Sequence, residues 1–356
     1  MTKETLIRIL PFQANSASGS RSVIVFCGLC VLLPALCFIS FGVGAVKITP
    51  FEVLAILFQK QGSFDSQQET LLFAIRLPRV LLGVLVGAGL AVSGATMQGL
   101  FRNPLADPGL IGISTGCALS AAVWIVFGET VSFKLAPLLK TFSLSLVAFP
   151  GGLLATLIVY RLGQREGRTD VPTMLLAGVA VSALNISLMG ILSFISTDAQ
   201  LRNITFWTLG SLGGATWTML IVTAPFILIP VIWLPKLARS LNAILLGEAE
   251  AEHLGVNTEN LKRKCVVLTT MAIGASVASA GMIGFVGLVV PHLLRLLIGA
   301  DHRVLLPCSA LLGASLLLMA DLSSRTIVAP AELPVGSITT LIGVPFFLWL
   351  LISRKS

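Results

Sequence analysis

The residues of this chain with chemistry to offer are arginines and glutamates set at the ends of long apolar runs. Arg76-Leu77-Pro78-Arg79 puts two guanidiniums beside one such run. A guanidinium pairs a carboxylate bidentately, so the pattern suits an acidic partner, and it also suits two side chains reaching for a membrane interface. Glu248, Glu250 and Glu252 alternate with alanine in residues 246–256, an acidic helical stretch that begins at Gly247 and closes on Gly255. Leu254 and Val256 give that stretch an apolar contact beside its charged face. Asp170-Val171-Pro172-Thr173 has the form of a helix start with proline at an early position.

Other chemistry is excluded by what is missing. His253, His292 and His302 stand apart from any cluster of Cys, Asp or Glu inside an apolar run, so neither a catalytic constellation nor a metal site is expected. Cys27, Cys30, Cys37, Cys117, Cys265 and Cys308 all fall in apolar runs without the paired spacing of a zinc site, and read as small buried hydrophobes. There is no Gly-Lys dipeptide, hence no phosphate-binding P-loop. No apolar run carries a charge near its middle, which disfavours a proton-coupled secondary transporter, the rival class of transport protein.

The elements that must position these residues follow from composition. Of 356 residues 55% are hydrophobic and 11% charged, with a mean hydropathy of +0.95, so much of the surface has to face lipid. Charge-free runs such as 22–46, 80–101, 171–197 and 333–353 approach the roughly 20 residues that span a bilayer. They are apolar on every side rather than alternating, which selects helices over barrel strands. The first run is long, lacks a small-residue cleavage site and follows about twenty polar residues, so it reads as a helix rather than a leader.

Residues 265–300 are too long for one crossing, and Gly281-Met282-Ile283-Gly284 is the natural break. With that break the chain has ten spans and both termini share a side. If that side is the cytoplasm, two-thirds of the 24 Lys and Arg lie inside; without the break the bias nearly vanishes. The net charge of +8 is then a membrane topology signal rather than a sign of nucleic-acid binding. Small residues, among them Gly83, Gly87, Gly89 and Gly94 in the second run and Gly274, Ala275 and Ala278 in the seventh, let helix backbones approach closely. These two runs share a basic start and a proline-containing exit, and the ten-span topology sends them across in opposite directions.

The arginine and glutamate motifs, with Gly94-Ala95-Thr96-Met97-Gln98, Asn103-Pro104-Leu105-Ala106-Asp107-Pro108-Gly109, Gly284-Phe285-Val286-Gly287-Leu288-Val289-Val290-Pro291-His292, Asp301-His302-Arg303 and Glu332-Leu333-Pro334-Val335-Gly336, make the chain resemble the permease family of vitamin B12, siderophore and haem ABC importers. The likeness runs in family order over nearly the whole chain.

It implies an all-α polytopic membrane protein of the type II importer fold, set in the bacterial inner membrane with both termini cytoplasmic. It also implies a homodimer with two ATP-binding cassette ATPase subunits and one periplasmic binding protein. Residues 1–22 are then a cytoplasmic segment, 23–353 a single permease domain with coupling helices at about 241–260, and 354–356 a tail. No cofactor belongs to the chain; ATP and magnesium belong to the partner ATPase.

By the same resemblance Arg76, Arg79 and Arg325, the last placed just after the ninth helix, dock the binding protein. Gly247, Glu248, Ala251, Leu254 and Gly255 couple to the ATPase, and Asp170, Pro172 and Thr173 fall in the cytoplasmic gate region, although Val171-Pro172-Thr173 has less Ser and Thr than that region normally carries. Phe206-Trp207 and Gly210-Ser211-Leu212-Gly213-Gly214 resemble the haem branch most, followed by the siderophore branches. Cobalamin remains an alternative substrate.

Overall fold

In a computed structural model, residues 17–44, 46, 48–57, 66–128 and 137–353 are described. Most of the expected segment 1–22 and the tail 354–356 lie outside them, and the first helix, α1 (Ala17–Gly42), begins ahead of the expected boundary at 23. A short α2 (Pro50–Leu57) follows. Helical backbone then starts at Ser66, passes through a π-helical turn over Leu71–Arg76, and continues as α3 (Leu77–Leu100). Arg76 and Arg79 therefore sit inside a helix rather than before one. Pro78, which has no N–H to give to the preceding turn, is accommodated because the wider π turn absorbs the misfit.

The remaining elements are α4 (Ile113–Phe127), α5 (Pro137–Leu162), a two-residue hairpin of β1 (Gln164–Arg165) and β2 (Arg168–Thr169), α6 (Val171–Ile195), α7 (Asp198–Leu209), α8 (Trp217–Trp233), α9 (Ala238–Ile244), α10 (Glu248–His253), α11 (Thr258–Ala280), α12 (Val286–Ile298), α13 (His302–Thr326) and α14 (Val335–Ser353). Among the described residues six spans, built on α1, α3, α5, α6, α8 and α13, are long and apolar enough to cross a membrane. The shorter apolar helices α4, α12 and α14 and the charged-start α11 bring the set to the ten that the sequence requires. The outer surface is apolar: Phe194 on α6 is 90% exposed, the reverse of a water-soluble fold.

The expected break after the seventh span is present. α11 ends at Ala280, Gly281 adopts a φ of 73°, Phe285 is left-handed, and α12 starts at Val286. The unwound segment is held by protein rather than lipid: Ser211 N–H donates to Ala280 O at 2.8 Å, and the Met282 carbonyl lies against Gly210 and Gly336. That cover satisfies backbone groups that the two helix ends leave open.

Close packing at small residues sets the helix registers. α3 and α13 run antiparallel, with Gly87 against Gly313 and Ala314, and Gly99 against His302. α3 and α11 also cross in opposite directions, Gly89 facing Ser276 and Met97 facing Thr269. A Cβ added at Gly94 would fall 1.7 Å from the Gly287 carbonyl oxygen, so α3 and α12 could not keep their contact. Gly94→Ala is thus expected to destabilise the fold by about 1–3 kcal/mol, the usual penalty for overpacking. Thermal unfolding in detergent checks it, with Gly190→Ala, whose added methyl meets open space, as the comparison.

Candidate functional site

Two charged clusters mark opposite ends of the bundle. The first is built at the start of α3 and the end of α13. Arg79 donates from Nε and Nη2 to Asp321 Oδ1 at 3.0 and 2.8 Å, and from Nη1 and Nη2 to the two oxygens of Glu332, both at 2.8 Å. Asp321 also pairs with Arg325 Nη2 at 3.0 Å, while Arg325 Nη1 donates to the Val43 carbonyl at 3.0 Å. Arg76 reaches the carbonyls of Phe41, in the last turn of α1, and of Val46 just beyond it. Three arginines thus face two carboxylates, leaving one positive charge in excess.

The three arginines expected at the docking face are held by their own chain. Arg76, Arg79 and Arg325 are brought together, but all are buried, and Arg325 lies in the last turn of α13 rather than after it. Low-dielectric surroundings make an unpaired guanidinium costly, so each has been drawn onto a carbonyl or carboxylate of its own chain. The most accessible member is Glu332, whose side chain is 42% exposed against 7% for Arg79. The hydrogen bonds from Arg79 keep the Glu332 carboxyl ionised below the usual carboxylate range. Neither Asp321 nor Glu332 is marked as a site residue by the sequence; an acid one helical turn before Arg325 is the signal that could have found Asp321.

The second cluster lies where α3 ends and α11 begins. Gly247, with a φ of 134°, opens α10; Gly255, with a φ of 84°, closes it, as expected. Lys262 Nζ donates to Glu248 Oε2 at 2.6 Å and to the Thr169 carbonyl at 2.8 Å. Glu259, one turn back on α11, accepts from the Thr169 amide at 2.8 Å and from the Thr169 hydroxyl and Tyr160. One residue beyond Thr169, Asp170 caps α6 by accepting from the Thr173 amide at 3.0 Å, with Pro172 in the first turn. A continuous chain of contacts therefore joins Glu248 to the first turn of α6 through Lys262 and Thr169. Lys262, Glu259 and Thr169 were missed in the sequence, although Glu259 and Lys262 share one helix face.

Outward from this cluster the surface is partly apolar. Leu254 is 65% and Leu246 68% exposed, whereas Ala251, grouped with Leu254 by the sequence, is fully buried and packs inward. Asn242 on α9 anchors the segment to α13, donating to Asp301 Oδ1 at 2.7 Å and accepting from the His302 amide at 2.9 Å. Burial would raise the Asp301 carboxyl, but hydrogen bonds from Arg303 and Asn242 outweigh it and bring the group down to about 2. Because its folded value is depressed, the anchor is at full strength above the ordinary carboxylate range and is lost only as pH falls toward 2.

α3 carries Arg79 in its first turn and ends beside the second cluster, so at about 1.5 Å per residue the two clusters are on the order of 30 Å apart, one hydrocarbon thickness. α1 ends beside Arg76 and Arg325, and α14 starts just after Glu332. The first and last helices therefore have their far ends on the Glu248 side. Gly281, Gly210 and the α14 start lie at the arginine end, with α7 and its following turn forming a short helix and turn there.

The sequence pattern of the FecCD transport family matches residues 32–353. The chain belongs to the FecCD transport family. It is 52% identical over 281 residues to the hemin transport system permease protein HmuU of Yersinia pestis, covering 79% of this chain and 83% of that one. It is 39% identical over 333 residues to the vitamin B12 import system permease protein BtuC of Vibrio parahaemolyticus, covering 93% and 94%. A solved inward-facing structure of a metal-chelate type ABC transporter superposes with a TM-score of 0.80 at 32% identity, covering 92% of this chain and 99% of that one. Family and fold together make this a multi-pass membrane permease of the ABC importer class and set aside the proton-coupled carrier.

Proposed function

We propose that this permease carries haem, or a closely related iron chelate, from a periplasmic binding protein into the cytoplasm. The observation that carries the substrate choice is the 52% identity to a hemin permease, against 39% to 43% for vitamin B12 permeases. The deciding measurement is binding-protein-dependent ATPase stimulation in proteoliposomes with haem, a ferric siderophore and cobalamin. Stimulation by haem alone is expected; stimulation by cobalamin alone would reverse the assignment.

In this reading the chain is the translocation subunit of a homodimer in the inner membrane, with its termini on the cytoplasmic Glu248 side. Two ATPase subunits sit at that end and hold ATP and magnesium; the binding protein docks at the arginine end. The excess positive charge there favours acidic groups on the docking protein, with Arg76, Arg79 and Arg325 shaping the surface from beneath while Glu332 stands at its edge. The pathway runs between the two copies, walled by the apolar faces of α6 and α14, on which Phe194 and Leu341 are exposed. A weakly binding apolar wall lets a bulky chelate enter and leave, so affinity resides in the binding protein.

ATP binding moves α10, and the Glu248–Lys262–Thr169 chain passes that displacement to the capped start of α6, where Asp170, Pro172 and Thr173 form the gate region. Lys262→Met keeps the aliphatic stem but removes both links. It is expected to leave ATPase co-purification intact while lowering ATP-dependent uptake about tenfold. Uptake at the unaltered rate would count against transmission by this route.

A further inference from the structure

A cavity of about 460 Å³ opens between the end of α5 and the start of α11, on the Glu248 side of the bundle. Leu157, Tyr160 and Arg161 form one wall, and Glu259, Arg263 and Val267 contribute to the other. Arg161 and Arg263 are exposed, and among the described residues neither guanidinium has a hydrogen-bonding or ionic partner in the protein. Glu259 forms no ion pair with either guanidinium, its oxygens accepting instead from Thr169 and Tyr160, so its charge offsets only one of the two cations in the lining. The cavity thus joins two unpaired cations at its mouth to an apolar floor.

The floor continues along the helices. On α5, Leu146, Pro150, Leu153, Leu157 and Arg161 recur every three or four residues, and on α11 Arg263, Val267, Met271, Ala275 and Ala278 do the same, so each set forms one stripe. α5 and α11 run antiparallel along this seam, with Phe149 against Gly274 and Leu157 beside Val266. Farther along it lies a second, apolar cavity of about 160 Å³, walled by Phe149, Phe226, Ala275 and Ala278. Phe149 and Leu157 are eight residues apart, or about 12 Å along a helix axis, within the reach of one acyl chain. The bridging Leu153 and Leu154 are exposed apolar side chains on a membrane-facing helix.

We propose that the α5–α11 groove is a binding site for an anionic phospholipid, its phosphodiester held between Arg161 and Arg263 and one acyl chain lying along the seam toward Phe149. A basic pocket between membrane helices above an apolar groove has the chemistry of an anionic headgroup site. A free phosphate would use the arginines and leave the floor empty.

Titration of the purified full-length permease in detergent, followed by native mass spectrometry, separates these cases. Phosphatidylglycerol is expected to bind well above phosphatidylcholine, and glycerol 3-phosphate not to compete at equal concentration. Arg161→Gln with Arg263→Gln is expected to weaken phosphatidylglycerol about thirty-fold, at roughly one order of magnitude or less per basic residue. Arg165→Gln, on the adjoining hairpin outside the cavity, should leave binding unchanged. Equal affinity for the two phospholipids, or undiminished phosphatidylglycerol binding by the double variant, would overturn the site. Competition by glycerol 3-phosphate as effective as the whole lipid would overturn the lipid as its occupant.

Discussion

Asp321→Asn is expected to destabilise the chain by about 3–5 kcal/mol, the usual cost of removing one partner from a buried ionic cluster. Asp321 is wholly buried and serves two arginines, accepting from Arg79 on one side and pairing with Arg325 on the other. Asparagine keeps nearly the same shape but removes the charge, so Arg325 is left with backbone carbonyls as its neighbours. Glu332 continues to hold Arg79, yet it sits at the exposed edge of the cluster and acts on Arg325 only through space. Glu332→Gln should therefore cost much less, about 1 kcal/mol, because solvent screens a half-exposed carboxylate. The contrast is measurable as melting temperature in detergent; equal losses from the two variants would refute the picture of a buried ionic hub.

The same cluster changes how docking should be tested. Charge reversal at Arg76 and Arg79 together would set one new carboxylate beside Asp321 and Glu332 and another against the carbonyls of Phe41 and Val46, so a loss of binding would report unfolding of that end. Glu332→Gln removes only the exposed partner and raises the positive excess. Tighter or unchanged binding-protein docking by this variant fits a cationic docking surface, and a large loss would contradict it.

Leu246→Glu combined with Leu254→Glu should weaken assembly with the ATPase by a factor on the order of 100–1000. Each leucine is about two-thirds exposed at the charged end of the bundle, beside an acidic helix. Full burial of such a side chain is worth about 1.5–3 kcal/mol, and a glutamate there forfeits that gain while adding charge to an already acidic helix. Co-purification with the ATPase, quantified against Ala251→Gly, reads the effect. Ala251 points inward, so its variant should assemble normally despite lying between the two leucines. Intact assembly of the Leu246 and Leu254 double variant would remove this surface from the interface.

The membrane-spanning plan was legible in one dimension because lipid imposes a local rule: each crossing must satisfy its own backbone and be apolar throughout. Residues 265–300 could not obey that rule as a single helix, and the break indeed falls over Gly281 to Phe285. The caps were legible for the same local reason, as Asp170 and Thr173 are only three residues apart and Gly255 directly ends α10. Resemblance to a permease family added the grouping of residues into docking, gate and coupling regions, which spacing alone did not provide.

The partners of the charged residues lay beyond such local rules. Arg79 is separated from Asp321 by 242 positions and from Glu332 by 253, and Lys262 from Thr169 by 93. Read singly, Arg76, Arg79 and Arg325 are cations in search of an external anion. By itself the sequence determined the helices, their break, their caps and the lipid that must surround them, because those depend on neighbours along the chain. Only the tertiary structure decided that the arginines face inward, that Ala251 is buried and that Lys262 joins α10 to α6. Those outcomes depend on helix register, fixed by close contacts such as Gly87 with Gly313 and Gly94 with Gly287, and register brings together charges that no reading along the chain could pair.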